Sequence, residues 1–105
     1  MSVCTGAALL AKAGLLDHRR ATTNKRAFAW TSSNGPHTNW IKQARSIEDG
    51  KFWTTSGVCE GIDMALTVIA RIESAELAEA IATRVEYDWH RDASWDPFAK
   101  IHGLV

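Results

Sequence analysis

The chain has 105 residues, 46% of them hydrophobic and 23% charged, with 12 basic and 12 acidic side chains and no net charge. That length fits one domain and is too short for two. Balanced charge gives no reason to expect nucleic acid or an anionic membrane surface as partner, and no apolar run reaches the ~18 residues of a membrane helix. Two cysteines do not build a disulfide scaffold, so both are expected to be free thiols in a reducing, cytoplasmic setting.

In chain order, a first helix is predicted over Thr5 to Ala13, with Gly14 as its stop because glycine tolerates the left-handed conformation. Asp17-His18 makes a turn, and Arg20-Ala21-Thr22-Thr23 is a short β-prone run. A second helix is expected over Lys25 to Ser32, anchored by Phe28 and ended by Asn34-Gly35-Pro36. Lys12, Arg19, Arg20, Lys25 and Arg26 read as a solvated basic face, since no aromatic residues interleave with them.

Ala44 to Glu48 and Lys51 to Thr55 flank Asp49-Gly50, the signal of a tight hairpin. After Ser56-Gly57 a third helix carries Val58, Ile62, Ala65, Leu66, Ile69 and Ile72 at helical spacing. Ser74 is placed to cap a fourth helix, with Glu76 in its first turn and Leu77, Ile81 and Val85 along one face. Asp96-Pro97 breaks the chain before its tail. Helices alternating with short strands predict an α/β layered domain. The strands are few for four helices, so the layered sheet is expected to be partial, with its front strands missing.

Ser2-Val3-Cys4-Thr5-Gly6-Ala7 has the makings of a strand-to-helix turn that exposes a nucleophile. Such a turn needs small neighbours, and the helix N-terminus that follows favours a thiolate and an oxyanion. From these features alone, Cys4 reads first as a small buried cysteine near a helix start and second as a catalytic thiol. Cys59 reads as inert packing, and Glu60 and Asp63 as complements to the dipole of the third helix. The four histidines, His18, His37, His90 and His102, show no zinc spacing, so neither metal nor cofactor is expected. Trp40, Trp53, Trp89 and Trp95 read as core or interface rather than ligand pocket.

The Cys4 turn, Ala13-Gly14-Leu15-Leu16, Arg20-Ala21-Thr22-Thr23, Glu48-Asp49-Gly50-Lys51, Thr55-Ser56-Gly57-Val58 and Gly61-Ile62-Asp63-Met64-Ala65-Leu66 fall in the order of the ThiJ/PfpI family. This is a branch of the class I glutamine amidotransferase-like superfamily, and the chain is similar in particular to its isocyanide hydratase-like and transcriptional-regulator-like members. The tail from Glu86 to Phe98 resembles a C-terminal extension of some microbial members. The resemblance implies a flavodoxin-like three-layer sandwich and a homodimer. Residues 1–105 would form a partial domain starting at the nucleophile elbow. It also implies Cys4 as nucleophile acting on a small-molecule substrate by hydrolysis or hydration, with Thr5, Ser56, Gly57, Val58 and Asn24 facing that substrate. A non-enzymatic redox- or ligand-sensing module, or a truncated chain without activity of its own, stays open beside it. Many members have a histidine after the Ala-Thr-Thr run, where this chain has Asn24, and an acidic partner for the cysteine upstream of this segment.

Overall fold

The computed structural model describes all 105 residues. Val3 is extended and leads into a 3-10 turn, Cys4–Gly6, which runs on as helix α1 (Ala7–Lys12). Gly14 ends the helix at φ 77°, and His18 takes φ 62° in the following turn, a conformation that strains a residue with a Cβ. Strand β1 (Arg20–Ala21) and β2 (Asn39–Trp40) pair in parallel around α2 (Phe28–Ser33). β2 was not legible as a strand because it is only two residues long.

Helix α2 starts later than the sequence implies. The Asn24 carboxamide oxygen accepts the Ala27 N–H at 3.1 Å and holds residues 24–27 as a turn, so the helix begins at Phe28. The hairpin forms from β3 (Ser46–Asp49) and β4 (Phe52–Thr55), with Asp49 opposite Phe52. Its two turn residues are therefore Gly50-Lys51, one position beyond the expected centre, with Gly50 at φ 60°. Ser2 bridges in parallel to Thr54: its N–H donates to Trp53 O at 2.9 Å, and its carbonyl accepts from Thr55 N–H at 3.1 Å. β1 lies beside the hairpin through side chains, with Arg20 N–H on Asp49 Oδ2 at 2.8 Å and Thr22 N–H on Thr54 Oγ1 at 2.9 Å. The result is mixed α/β, consistent with part of a flavodoxin-like sandwich. Its buried apolar cluster is small-residue material, Ala7, Ala11, Leu16 and Ala21, packed against Leu10, Trp40 and Phe52.

Helix α3 (Val58–Ile72) and α4 (Ala75–Arg84) form the other side, and Ser74 Oγ caps α4 by accepting the Leu77 N–H at 3.1 Å. The apolar stripe of α3 is only partly its buried face: Leu66 is buried, and Ala65 and Ile69 are half-buried. Val58, Ile62 and Ile72 are exposed, and the buried side carries Glu60, Asp63, Met64 and Leu66. The rotation follows from charge. Arg45 is buried and bonds Asp63 Oδ2 through Nη2 at 2.6 Å and Nε at 2.9 Å, and it reaches Glu60 Oε1 at 3.4 Å. Glu60 and Asp63 therefore hold a guanidinium inside the protein rather than merely complementing a helix dipole. A second buried pair corrects the reading of the basic face. Lys25 is only 3% exposed, its ammonium donates to Thr22 Oγ1, Thr23 O and Ala44 O, and it lies 3.4 Å from Asp96. Burial lowers the Lys25 pKa more than Asp96 raises it.

These charges also fasten the tail. Asp63 Oδ1 accepts the Tyr87 hydroxyl at 3.0 Å and the His90 N–H at 2.8 Å. Ala93 O accepts the Arg45 and Ser46 N–H groups at 2.7 and 3.2 Å. Asp96 Oδ1 accepts the Phe98 N–H at 2.9 Å and so opens helix α5 (Phe98–Ile101). Of the four tryptophans read as core or interface, Trp40 and Trp53 are half-buried, Trp95 is exposed and Trp89 lines a surface cleft with Tyr87 and Arg91. Trp40 packs edge-on against Phe28, Arg45 lies over Trp95, and Arg71 lies over Trp53. No helix is long and apolar enough to cross a membrane.

Two predictions follow from the buried charges. Arg45→Ala leaves two carboxylates buried without their cation and is expected to cost about 3–5 kcal/mol in chemical denaturation, because a broken buried ion pair strands its partner; a loss below about 1 kcal/mol, the scale of an exposed pair, contradicts the burial described here. Tyr87 is the chain's single tyrosine, so phenolate absorbance reports it alone. Burial, then the hydrogen bond to Asp63, push its pKa from 10.0 up to about 12. A raised folded pKa gives stability that is complete below pH 10 and is lost as pH rises through about 12. A titration midpoint near 12 in the folded chain, falling toward the ordinary value in Asp63→Asn, is the expected result.

Candidate functional site

The backbone singles out Cys4. Val3 is extended at φ −119°, and Cys4 then turns to φ 58°, a left-handed conformation that residues with a Cβ seldom adopt. The turn is held from both sides. Gly6 N–H donates to Val3 O at 3.0 Å, and the buried Thr23 hydroxyl donates to Cys4 O at 2.8 Å. Ala7 and Ala8, both buried, let α1 seat directly behind the turn. Gly61 brings α3 against it, because a Cβ there would stand 2.8 Å from Val3 Cγ1. Cys4 is half-buried, and Cys59 is exposed rather than packed, so both thiols are free and the packing role expected of Cys59 does not hold.

The residues predicted to face a substrate divide into two groups. Asn24, Ser56 and Gly57 come together in one cleft of about 170 Å³, with Lys25, Arg26, Glu60, Phe98 and His102 completing its wall. Thr5 is exposed at the neighbouring cysteine turn, and Val58, 74% exposed, stands at the start of α3 outside the cleft wall. The turn and the cleft are joined through the backbone. Thr23, bonded to Cys4 O, precedes Asn24, and Thr55, bonded to Ser2 O, precedes Ser56. Gly57 makes room for a neighbour's charge. A Cβ at that position would lie 2.6 Å from Glu60 Oε2, the other oxygen of the carboxylate that meets Arg45. Phe98 and His102 were missed as site residues because they stand more than forty positions beyond Ser56. The signal available was Asp96-Pro97, read only as a break.

Fold and turn together define an α/β protein that presents a cysteine on a strained strand-to-helix elbow. Comparison with known proteins places it more closely. Residues 1–71 match the model of the DJ-1/PfpI family, and the chain belongs to that family. It is 35% identical over 86 residues to an isonitrile hydratase of Pseudomonas putida, a match covering 82% of this chain and 36% of that protein. It is 35% identical over 78 residues to the HTH-type transcriptional regulator CdhR of Pseudomonas aeruginosa, covering 74% of this chain and 23% of the regulator. The HTH-type transcriptional regulator GbdR of the same species is 33% identical over 87 residues, covering 83% and 23%. The chain thus spans about a third of the hydratase's length and about a quarter of each regulator's. Two of these relatives are HTH-type transcriptional regulators, so the chain's balanced charge is no argument against a nucleic-acid partner.

The left-handed Cys4 yields a direct test. Cys4→Gly removes the Cβ clash and is expected to raise unfolding free energy by about 1 kcal/mol, whereas Cys4→Ala keeps the clash and gains nothing comparable. Equal stability of the two variants in denaturant titrations would show that the turn stores no strain.

Proposed function

We propose that residues 1–105 make up the nucleophile-bearing part of a ThiJ/PfpI-type protein whose Cys4 thiolate adds to an electrophilic carbon of a small molecule, and that the reaction is hydration of an isonitrile. The observation that carries this reading is Cys4 at φ 58° on a turn held by Thr23 and followed at once by a helix. A strained elbow of this kind lifts a nucleophile out of the sheet. Similarity to an isonitrile hydratase over most of the chain supports the choice of substrate.

In this reading the Cys4 sulfur forms a bond to the terminal isonitrile carbon, and that carbon takes a proton, giving a thioimidate. Water then adds to the same carbon while the nitrogen takes a proton. Collapse of the adduct breaks the carbon–sulfur bond, releases a formamide and returns the thiolate. The sum is one isonitrile plus one water giving one formamide, with no change in oxidation state of the sulfur. N–H groups following Cys4 would stabilise developing charge, with Thr5 the first of them. Asn24 has its oxygen occupied by the Ala27 N–H and carries no transferable proton near neutral pH, so this reading uses no cysteine–histidine dyad at that position.

The second reading, a ligand-sensing module, is favoured by the two regulators among the relatives. The two readings part on turnover. Incubation with a simple alkyl isonitrile is expected to release formamide, and Cys4→Ser is expected to lower the rate at least about 100-fold, the scale of losing a nucleophile. Stoichiometric binding without formamide, or turnover that survives Cys4→Ser, would overturn the hydratase reading.

A further inference from the structure

Thr22 and Thr23, both at 0% exposure, lie behind the cysteine turn and are held from several elements at once. Thr22 N–H donates to Thr54 Oγ1 on β4 at 2.9 Å, and the Thr22 hydroxyl donates to Ile41 O, just after β2, at 2.9 Å. Lys25 Nζ donates to Thr22 Oγ1 at 2.7 Å and to Thr23 O at 3.1 Å, and Asp96 lies 3.4 Å from that ammonium. Thr23 thus has a backbone that cannot readily shift. Its hydroxyl carries one proton, and that proton goes to Cys4 O at 2.8 Å.

A trans peptide unit is planar, so its C=O and N–H point in opposite directions. Cys4 O and the Thr5 N–H belong to one such unit, and the chain has no cis peptide bond. Holding Cys4 O on Thr23 therefore turns the Thr5 N–H away from the buried threonine. Gly6 N–H, next along the turn, is taken by Val3 O at 3.0 Å, whereas the Thr5 N–H has no acceptor in the chain. Cys4, at φ 58°, would lose strain by returning to negative φ. That relaxation swings the Cys4–Thr5 peptide plane, and the bond from Thr23 opposes it.

We propose that Thr23 is a positioning residue: by holding Cys4 O, its hydroxyl aims the free Thr5 N–H at the oxygen that becomes negative when the Cys4 thiolate adds to a carbonyl carbon. This rests on the reading of Cys4 as the nucleophile. Thr23 acts through the peptide plane and not on the sulfur. The hydrogen bond it prepares strengthens as charge develops, so it favours the transition state over the ground state.

Two electrophiles separate this role from packing. p-Nitrophenyl acetate reacts with a thiolate through a tetrahedral oxyanion; a carbon–sulfur bond forms, p-nitrophenolate leaves, and a thioacetate remains. Iodoacetamide alkylates by displacing iodide, with no oxyanion, and so reports access and ionisation of the thiol. Peptide mass spectrometry on the full chain reads Cys4 beside the exposed Cys59 in both reactions. Thr23→Val keeps the side-chain shape and removes the proton. It is expected to slow acylation of Cys4 at least about tenfold, because losing an oxyanion donor outright costs about 100-fold or more. Alkylation of Cys4, and both reactions of Cys59, are expected to stay within about twofold. Thr23→Ser, which keeps the hydroxyl, is expected to restore acylation. Overturning results are unchanged acylation in Thr23→Val, equal slowing of both Cys4 reactions, or Thr23→Ser as slow as Thr23→Val. An acylation-to-alkylation ratio no higher at Cys4 than at Cys59 in the unmodified chain does the same. Amide exchange on the unmodified chain checks the geometry without a variant: Thr5 is expected to exchange near the free-peptide rate and Gly6 more slowly, and a protected Thr5 amide would also overturn the proposal. Formamide release from an alkyl isonitrile, read on the same preparation, separates the two levels. Release with acylation indifferent to Thr23 removes this inference and leaves the hydratase reading standing. Thr23-dependent acylation without formamide does the reverse.

Discussion

A guanidinium inside a protein of this size dictates where its neighbours go. Arg45 enters the hairpin from a loop, and its charge must be met before α3 can close over it. Asp63 and Glu60 meet it from one face of α3, three residues apart and so on the same side of the helix. This requirement turns the helix partly away from its own amphipathic pattern, although Leu66 stays buried. Val58, Ile62 and Ile72 are left facing outward, and Glu60 and Asp63 are buried instead. Asp63 then has one oxygen left, which takes the Tyr87 hydroxyl and the His90 N–H. One carboxylate thus joins the hairpin entry, the long helix and the tail.

The candidate site inherits its shape from that junction. Glu60, held by Arg45, needs the space that Gly57 provides, so the bend before α3 carries no side chain. Ser56 is fixed on the same stretch by its N–H on Arg45 O at 3.0 Å. Lys25 and Asp96 repeat the device on the other wall, tying the segment that contains Asn24 to the start of α5. Cys4 stands apart from these ion pairs, on a turn whose geometry comes from Val3, Thr23 and Gly61. The Cys4 turn and the cleft are separately built and meet along Thr23-Asn24 and Thr55-Ser56.

Much of the local structure was legible in the sequence, because each signal acts within a few residues. Gly14 stops α1, Ser74 caps α4, a glycine turns the hairpin, and small residues follow Cys4. Errors of one to three positions arose where a side chain competed with the backbone, as Asn24 does before α2. The long-range charges were not legible. Lys25 looks like any surface lysine until Asp96 and three oxygen acceptors surround it. Glu60 reads from the sequence as a complement to the helix dipole, and only Arg45, fifteen residues earlier, accounts for its burial. The turn at Cys4 was readable from the small residues that follow it, and its left-handed φ is what the structure adds.

The central claim is that the Arg45–Asp63 junction holds the tail, and with it the cleft wall, as part of the folded core. Native-state hydrogen exchange at the His90 amide tests it most directly, since that proton is held by Asp63 Oδ1 and by nothing in a helix or strand. The account predicts that His90 exchanges in step with the interior amides of α3, opening only when that helix opens. Exchange of His90 at the rate of a free peptide, while α3 remains protected, would contradict it.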